Sequence, residues 1–189
     1  MKPSLAFETG LKWQYRGKIL TQTYERHMKE LTAEERFYLA GFLDADGSIF
    51  AQLVRGTELK YKYRIRVSIG FYQNKRNSWF LKKLQKDLKC GSIRTKTDDV
   101  VEYVITAADP VRNLLVQLKD GLVLKKRQAN LVLEILEKKK QIQSKSDFLE
   151  VCRLTDKVAN LNYSKKRTIT AKDVEKVLFL DDSMDDSIL

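Results

Sequence analysis

Histidine and cysteine are nearly missing from this chain. Its 189 residues hold one histidine, His27, and two cysteines, Cys90 and Cys152. There is no Cys-x-x-Cys and no set of histidines to complete a ligand shell. Neither a zinc site nor a disulfide framework is expected, and a reducing compartment fits. His27 reads as a structural or surface residue. No apolar run approaches the length of a membrane span. The first thirty residues have no apolar centre of the secretory kind, and they carry Glu8, Glu25 and Glu30, so neither a secretory signal nor a transit peptide is expected. No internal repeat is visible. Acidic residues are also in short supply, with 25 Asp and Glu against 36 Lys and Arg for a net charge of +11. Four of the aspartates sit in residues 181–189, which contain no Lys or Arg, so the rest of the chain is more basic still. That imbalance favours a polyanionic partner over an ordinary acidic or neutral enzyme surface, the plainer reading being a solvated lysine-rich surface. A hydrophobic fraction of 43% is enough for one domain with a core of its own.

What the chain does have is an unusual helix end. Residues Leu39-Ala40-Gly41-Phe42-Leu43-Asp44-Ala45-Asp46-Gly47-Ser48-Ile49-Phe50 place small residues on a helix that is apolar on nearly every side, and a carboxylate where it stops. Thr32 and Glu35 have capping-box spacing, so the helix is predicted over 32–46. Gly41 and Ala45, four apart, share a face on which another helix backbone can approach closely. Gly47 is expected to end the helix in a left-handed turn. Asp46 at the tip opposes the helix dipole and asks for a compensating positive charge, such as a metal. A calcium loop starting at Asp44 fails, because it would put Ile49 and Arg55 where that loop needs its glycine and its terminal acid.

A basic sheet follows. From Lys60 to Phe71 residues alternate, with Tyr61, Tyr63, Ile65, Val67, Ile69 and Phe71 on one side and Lys60, Lys62, Arg64, Arg66, Ser68 and Gly70 on the other. This is a strand with one buried face and one open face, and the open face carries four cations and no acid. Ser48 to Val54 alternates too, with Ile49, Ala51 and Leu53 inward and Phe50, Gln52 and Val54 beside the cations. A second hairpin has Ile93, Val101, Tyr103 and Ile105 inward and Arg94, Lys96, Glu102, Val104 and Thr106 outward, turning at Thr97-Asp98-Asp99. A twelve-residue strand reaches roughly 40 Å, about one turn of DNA groove. Arginine is the commonest reader of guanine in that groove. The aromatic residues Tyr61, Tyr63 and Phe71 fall on the apolar side, which favours duplex DNA over the base-stacking sheets that bind single-stranded RNA. Helices are expected at 75–88, where Trp79 and Phe80 read as core, and from Asp109-Pro110, with Pro at the first helical position and Val111, Leu114, Leu115 and Leu118 inward. Three more carry Ala129, Val132, Ile135 and Leu136 (Leu124 to Lys140), then Phe148, Val151, Thr155 and Val158, then Val174, Val177 and Leu178 after Thr170 and Asp173.

The segment Leu39–Phe50 closely resembles the signature of the LAGLIDADG homing endonucleases, and the likeness runs from about Phe37 to Val177. Leu124-Lys125-Lys126-Arg127-Gln128-Ala129-Asn130 is similar to a segment of the single-motif homodimeric group known from introns of algal organelles. The resemblance implies an α+β fold: an αββαββα core on a four-stranded antiparallel saddle-shaped sheet, with further C-terminal helices. It implies an endonuclease domain over residues 31–180; residues 1–30 extend beyond the usual start, and the acidic run over 181–189 reads as a disordered tail. It also implies a metal-dependent double-strand break in a long pseudo-palindromic DNA site, serving intron mobility in a chloroplast or mitochondrion. Asp46 and the Ala45 carbonyl would bind the metal, which would be Mg²⁺, with Mn²⁺ substituting and Ca²⁺ binding without cleavage. Lys125 would sit beside the scissile phosphate and Gln73 would order water. Asn77 stands where the family often has arginine, with Arg76 adjacent. DNA contacts are expected from Gln52, Lys60, Lys62, Arg64, Arg66, Ser68, Arg94, Lys96, Glu102 and Arg127, and from the backbone-gripping loop of Ser164, Lys165, Lys166 and Arg167. With one signature per chain, two copies must pair, through Phe37, Ala40, Gly41, Asp44 and Ala45. Neither a membrane nor a small-molecule substrate is expected. An RNA maturase and a non-catalytic DNA-binding regulator are the alternatives on the same scaffold.

Overall fold

A computed structural model describes residues 11–15, 18–22, 28–97, 99–162 and 168–180. Strands β1 (Leu11–Tyr15) and β2 (Lys18–Gln22) pair as an antiparallel hairpin. The acidic tail, and Ser164, Lys165, Lys166 and Arg167, lie outside the described residues.

Helix α1 runs Ala33–Asp46. Its N-terminus is a full capping box: the Glu35 N–H donates to the Thr32 hydroxyl at 3.3 Å, and the Thr32 N–H donates to Glu35 Oε2 at 3.0 Å. Such a cap contributes about 1 kcal/mol. Leu39, Ala40 and Leu43 point into the core. The far end departs from expectation. Gly47 is extended (φ −113°, ψ 177°) and uses no left-handed freedom. A Cβ there would stand 2.5 Å from Leu43 Cδ1 and 2.7 Å from the Leu43 carbonyl oxygen. The glycine is needed because the chain folds back tightly onto the last helical turn, and this is what leaves Asp46 at the tip.

From Gly47 the chain passes directly into β3 (Gly47–Arg55), which pairs antiparallel with β4 (Tyr63–Asn74), Gly47 opposite Phe71 and Arg55 opposite Tyr63. A short 3-10 turn (Lys75–Asn77) leads into α2 (Ser78–Leu88), and β5 (Ser92–Thr95) and β6 (Val100–Ile105) form the second hairpin. The sheet order is β3-β4-β6-β5, antiparallel throughout. The fold is α+β, with the expected order of one helix and two strands, repeated. Ile49, Ala51, Leu53, Tyr63, Ile65, Val67, Ile69, Phe71, Val101, Tyr103 and Ile105 are all buried beneath the helices, as the alternation requires. Two strand expectations fail. β4 begins at Tyr63, because Lys62 adopts φ 56° and ends a turn closed by the Lys62 N–H to Leu59 carbonyl bond. Lys60 and Lys62 therefore belong to that turn and not to the cationic face. Tyr61 leaves the strand pattern to stack on Phe148 at 4.7 Å.

Helices α3 (Ala108–Leu118), α4 (Lys126–Lys140), α5 (Lys145–Leu161) and α6 (Ala171–Leu180) complete the described residues. α3 starts earlier than Asp109-Pro110 suggests, putting Pro110 third in the helix. A missing N–H is still harmless there, since the first four have no intrahelical partner. The predicted inward residues of α3 to α6 are buried, Val177 only in part. Trp79 is not in the core: it is 65% exposed, while Phe80 packs edge-on against Phe42 at 5.2 Å. Two long polar side chains tie α4 and α5 to the sheet. Lys139 Nζ donates to the Ile65 carbonyl (3.1 Å), at a part of β4 beyond the reach of β6. Asn162 Nδ2 donates to the Ile49 carbonyl (3.1 Å) on edge strand β3. Burial pushes the Cys152 thiol up to about 12 and raises that of Cys90 as well, so neither is a ready nucleophile.

Candidate active site and nucleic-acid interface

The register of β3 with β4 carries the tip of α1 to the end of β4. There Gln73 Nε2 donates to Asp46 Oδ2 at 3.2 Å, and Asn77 Nδ2 donates to Gln73 Oε1 at 3.2 Å. The three side chains form a relay that orients the carboxylate while leaving Asp46 exposed. No basic residue lies in the last turn of α1. The positive charge beside Asp46 comes instead from Lys125, whose Nζ donates to the Asp44 carbonyl. Desolvation holds the Lys125 pKa below its ordinary value, and the charges of Asp44 and Asp46 offset only part of that. Asp46, Gln73 and Lys125, far apart in sequence, are thus gathered at one end of the sheet. Asn77 takes a neutral place in the relay. Arg76 sits on the exposed 3-10 turn, its N–H bonded to Asn74 Oδ1 at 3.1 Å.

Ala40 requires correction as a contact between copies, and the Asp44 carboxylate is taken up within its own chain. The Asp44 carboxylate accepts the backbone N–H groups of Val123 (2.7 Å), Leu124 (3.1 Å) and Lys125 (2.9 Å). It neutralises the start of α4, where a negative group is favoured, and fixes Lys125. Ala40 is 0% exposed and lies against the chain at Gly121, where a Cβ would come within 2.9 Å of the Ala40 Cβ. Phe37, Gly41 and Ala45 remain on the exposed face of α1. A Cβ on Gly41 would meet nothing of its own chain within 4 Å. Sequence reasoning missed the flanks of this face. Val123 (80% exposed) and Leu124 (75%) lie on the Asp44 side, and Tyr38, Trp79 and Phe80 on the other.

The open face of the sheet presents Gln52 on β3, Arg64 and Arg66 on β4, and Arg94 on β5, with Lys96 just past its end. Arg66 Nη2 donates to Gln52 Oε1 at 2.7 Å across the β3–β4 register. Arg127 is exposed on the first turn of α4. Ser68 and Glu102 differ from expectation: they lie on this face but are only 8% and 4% exposed. Glu102 is occupied by Arg94, whose Nε donates to Oε2 at 2.5 Å, so it is no free contact for a base. Phe50 stands on the open face as its place in the alternation requires, and Tyr72, one residue past the alternating run, joins it; both are partly buried.

A family model for the LAGLIDADG endonucleases matches residues 39–132. DNA endonuclease I-CreI of Chlamydomonas reinhardtii is 40% identical over 142 residues, covering 75% of this chain and 86% of that protein. The chain belongs to the LAGLIDADG endonuclease family. DNA endonuclease I-CvuI of Chlorella vulgaris is 38% identical over 141 residues, covering 75% of this chain and 88% of that protein. A crystal structure of I-CvuI, bound to the I-CreI target with magnesium and with the DNA uncleaved, superposes with a TM-score of 0.73 and 37% identity, over 77% of this chain and 92% of that one. A second, with its own target and calcium, matches equally well. This LAGLIDADG chain is a site-specific DNA endonuclease of the homing type, carries the signature once, and depends on a divalent metal. None of its described helices is long and apolar enough to cross a membrane.

No group of three or more His, Cys, Asp or Glu side chains that could hold a metal occurs among the described residues. The donor chemistry nonetheless fits a hard cation. Asp46 offers a carboxylate and Ala45 a backbone carbonyl, and magnesium characteristically takes one or two carboxylates, its remaining ligands being waters and substrate phosphates.

Proposed function

We propose that two copies of this endonuclease pair across the exposed face of α1 and cut the two strands of a long pseudo-palindromic duplex, each with its own Asp46. The observation that carries this reading is the end of α1: an exposed carboxylate, oriented by Gln73 and flanked by Lys125, at the edge of a cationic sheet face. A face with Gly41 open and Phe37 and Ala45 beside it suits a helix of a second copy. In a two-fold interface each patch meets the other's counterpart. Tyr38, Trp79 and Phe80 of one protomer would then cover Val123 and Leu124 of its partner.

Asp46 and the Ala45 carbonyl would hold the metal, with Mg²⁺ or Mn²⁺ supporting cleavage and Ca²⁺ supporting binding alone. When bound, the ion supplies Lewis acidity at the phosphate and a water of lowered pKa. The chain's own groups do the rest. Gln73, held by Asn77, orients the carboxylate and orders water. Lys125, pinned to the Asp44 carbonyl, places positive charge where the phosphorane gathers negative charge. Water attacks phosphorus in line and the 3′ oxygen leaves, with no covalent enzyme intermediate. Arg64, Arg66, Gln52, Arg94 and Lys96 would read base edges, and Arg127 with residues 164–167 would grip the backbone. The domain boundaries at about 31 and 180, a role in mobility of a host intron and a location in a chloroplast or mitochondrion belong to the same reading.

A supercoiled plasmid carrying the uninterrupted insertion site tests it. Linear DNA is expected with Mg²⁺ or Mn²⁺, bound but intact DNA with Ca²⁺, and neither break nor nick with EDTA. Cleavage in EDTA would remove the metal site. Arg66→Ala is expected to relax choice at one or two base pairs of each half-site, losing about 1–3 kcal/mol of discrimination there. An even loss at every position would show that Arg66 touches phosphate.

A further inference from the structure

Three residues line up in register across three strands on the open face: Tyr72 of β4 is opposite Glu102 of β6, which is opposite Arg94 of β5. The Glu102 carboxylate is almost fully covered and grips Arg94 through Nε, while the Arg94 side chain itself is largely exposed. The Tyr72 hydroxyl interacts with Glu102 and with Ser48. It reaches them over Gly70, where a Cβ would stand 2.8 Å from the phenol oxygen and 3.2 Å from Glu102 Oε1. The Lys96 ammonium lies over the Tyr72 ring, 4.5 Å from its centre. One tyrosine thus touches the supports of both cations at this end of the sheet. A guanidinium tied down at Nε keeps its terminal nitrogens for the two acceptors of guanine, and a buried carboxylate with a single partner would be loose as well as costly to desolvate.

We propose that Tyr72 is a positioning residue for sequence choice, holding Arg94 through Glu102 and Lys96 through its ring, so that both read bases of each half-site at the end of the sheet that carries Asp46. This rests on the DNA-cutting reading above. The test selects cleavable duplexes from a library randomised across the half-site, with Mg²⁺, and scores preference at each base pair. Arg94→Ala and Lys96→Ala mark the positions those side chains read. Tyr72→Phe keeps the ring and removes the hydroxyl. Discrimination at the Arg94 position is expected to fall about tenfold, while that at the Lys96 position stays as in the parent enzyme. Tyr72→Leu should lose both. Gly70→Ala, whose methyl displaces the phenol, should reproduce Tyr72→Phe.

An unchanged profile for Tyr72→Phe overturns the proposal, even with a lowered Tm, because the residue would then be structural only. So does a loss spread evenly over all positions, or an Arg94→Ala profile like that of the parent. If the parent enzyme itself selects no site, the endonuclease reading fails and this role with it. If the parent selects one and Tyr72→Phe selects the same one, only the role of Tyr72 fails.

Discussion

Asp46→Asn binds its duplex with near-parental affinity and leaves both strands intact. The substitution keeps size and shape. An amide oxygen can still accept from Gln73 Nε2, which now holds Oδ2 at 3.2 Å, so the relay through Asn77 survives. What goes is the negative charge that binds a hard cation. Metal assistance contributes several kcal/mol to the transition state, and at 1.36 kcal/mol per tenfold the rate should fall roughly 1,000-fold or more. Stability should not fall with it. A carboxylate at a helix C-terminus opposes the dipole and α1 has no basic residue in its last turn, so Tm is expected to hold or rise slightly. Single-turnover nicking with Mg²⁺, beside a gel-shift titration with Ca²⁺, separates chemistry from binding. Cleavage within tenfold of the parent would remove Asp46 from the mechanism.

Gly41→Leu separates the two protomers without harming either. A Cβ at Gly41 meets nothing of its own chain within 4 Å, so leucine fits the isolated protomer, and replacing glycine inside a helix gains about 1 kcal/mol in propensity. In the dimer the same side chain would occupy the space of the partner's backbone, and symmetry applies the clash twice. Overpacking costs about 1–3 kcal/mol at each site, so the dimer Kd should rise roughly 100-fold or more while protomer Tm stays level or rises. Sedimentation read together with thermal melting decides it. A tight dimer would place the contact elsewhere on the chain, and a collapsed Tm would mean that Gly41 serves the protomer fold.

The elements that were legible have strict periods. Alternation along β3 and β4 placed the core side chains correctly, because a strand with one buried face has no other way to arrange them. The capping box of α1 was legible because it is closed by residues three apart. The errors fall where distant segments meet. Lys60 and Lys62 continued the alternation on paper, but a left-handed residue at Lys62 closes a turn and the strand starts after it. Trp79 read as core from its chemistry alone. Ala40 and Asp44 lie in the same motif as Gly41 and Ala45, and nothing local says that the first two face residues 121–125 of the same chain.

The sequence by itself determined the helix that ends in Asp46, the two basic hairpins and the family to which they belong, since each is written in residues a few positions apart. Only the tertiary structure decided that Gln73 bonds that aspartate and Lys125 the Asp44 carbonyl beside it, that Asp44 is spent holding the start of α4, and that Glu102 is buried under Arg94. Those facts depend on strand register and on helix packing over separations of 8 to 81 residues, where each side chain's surroundings are set by how separate segments come together.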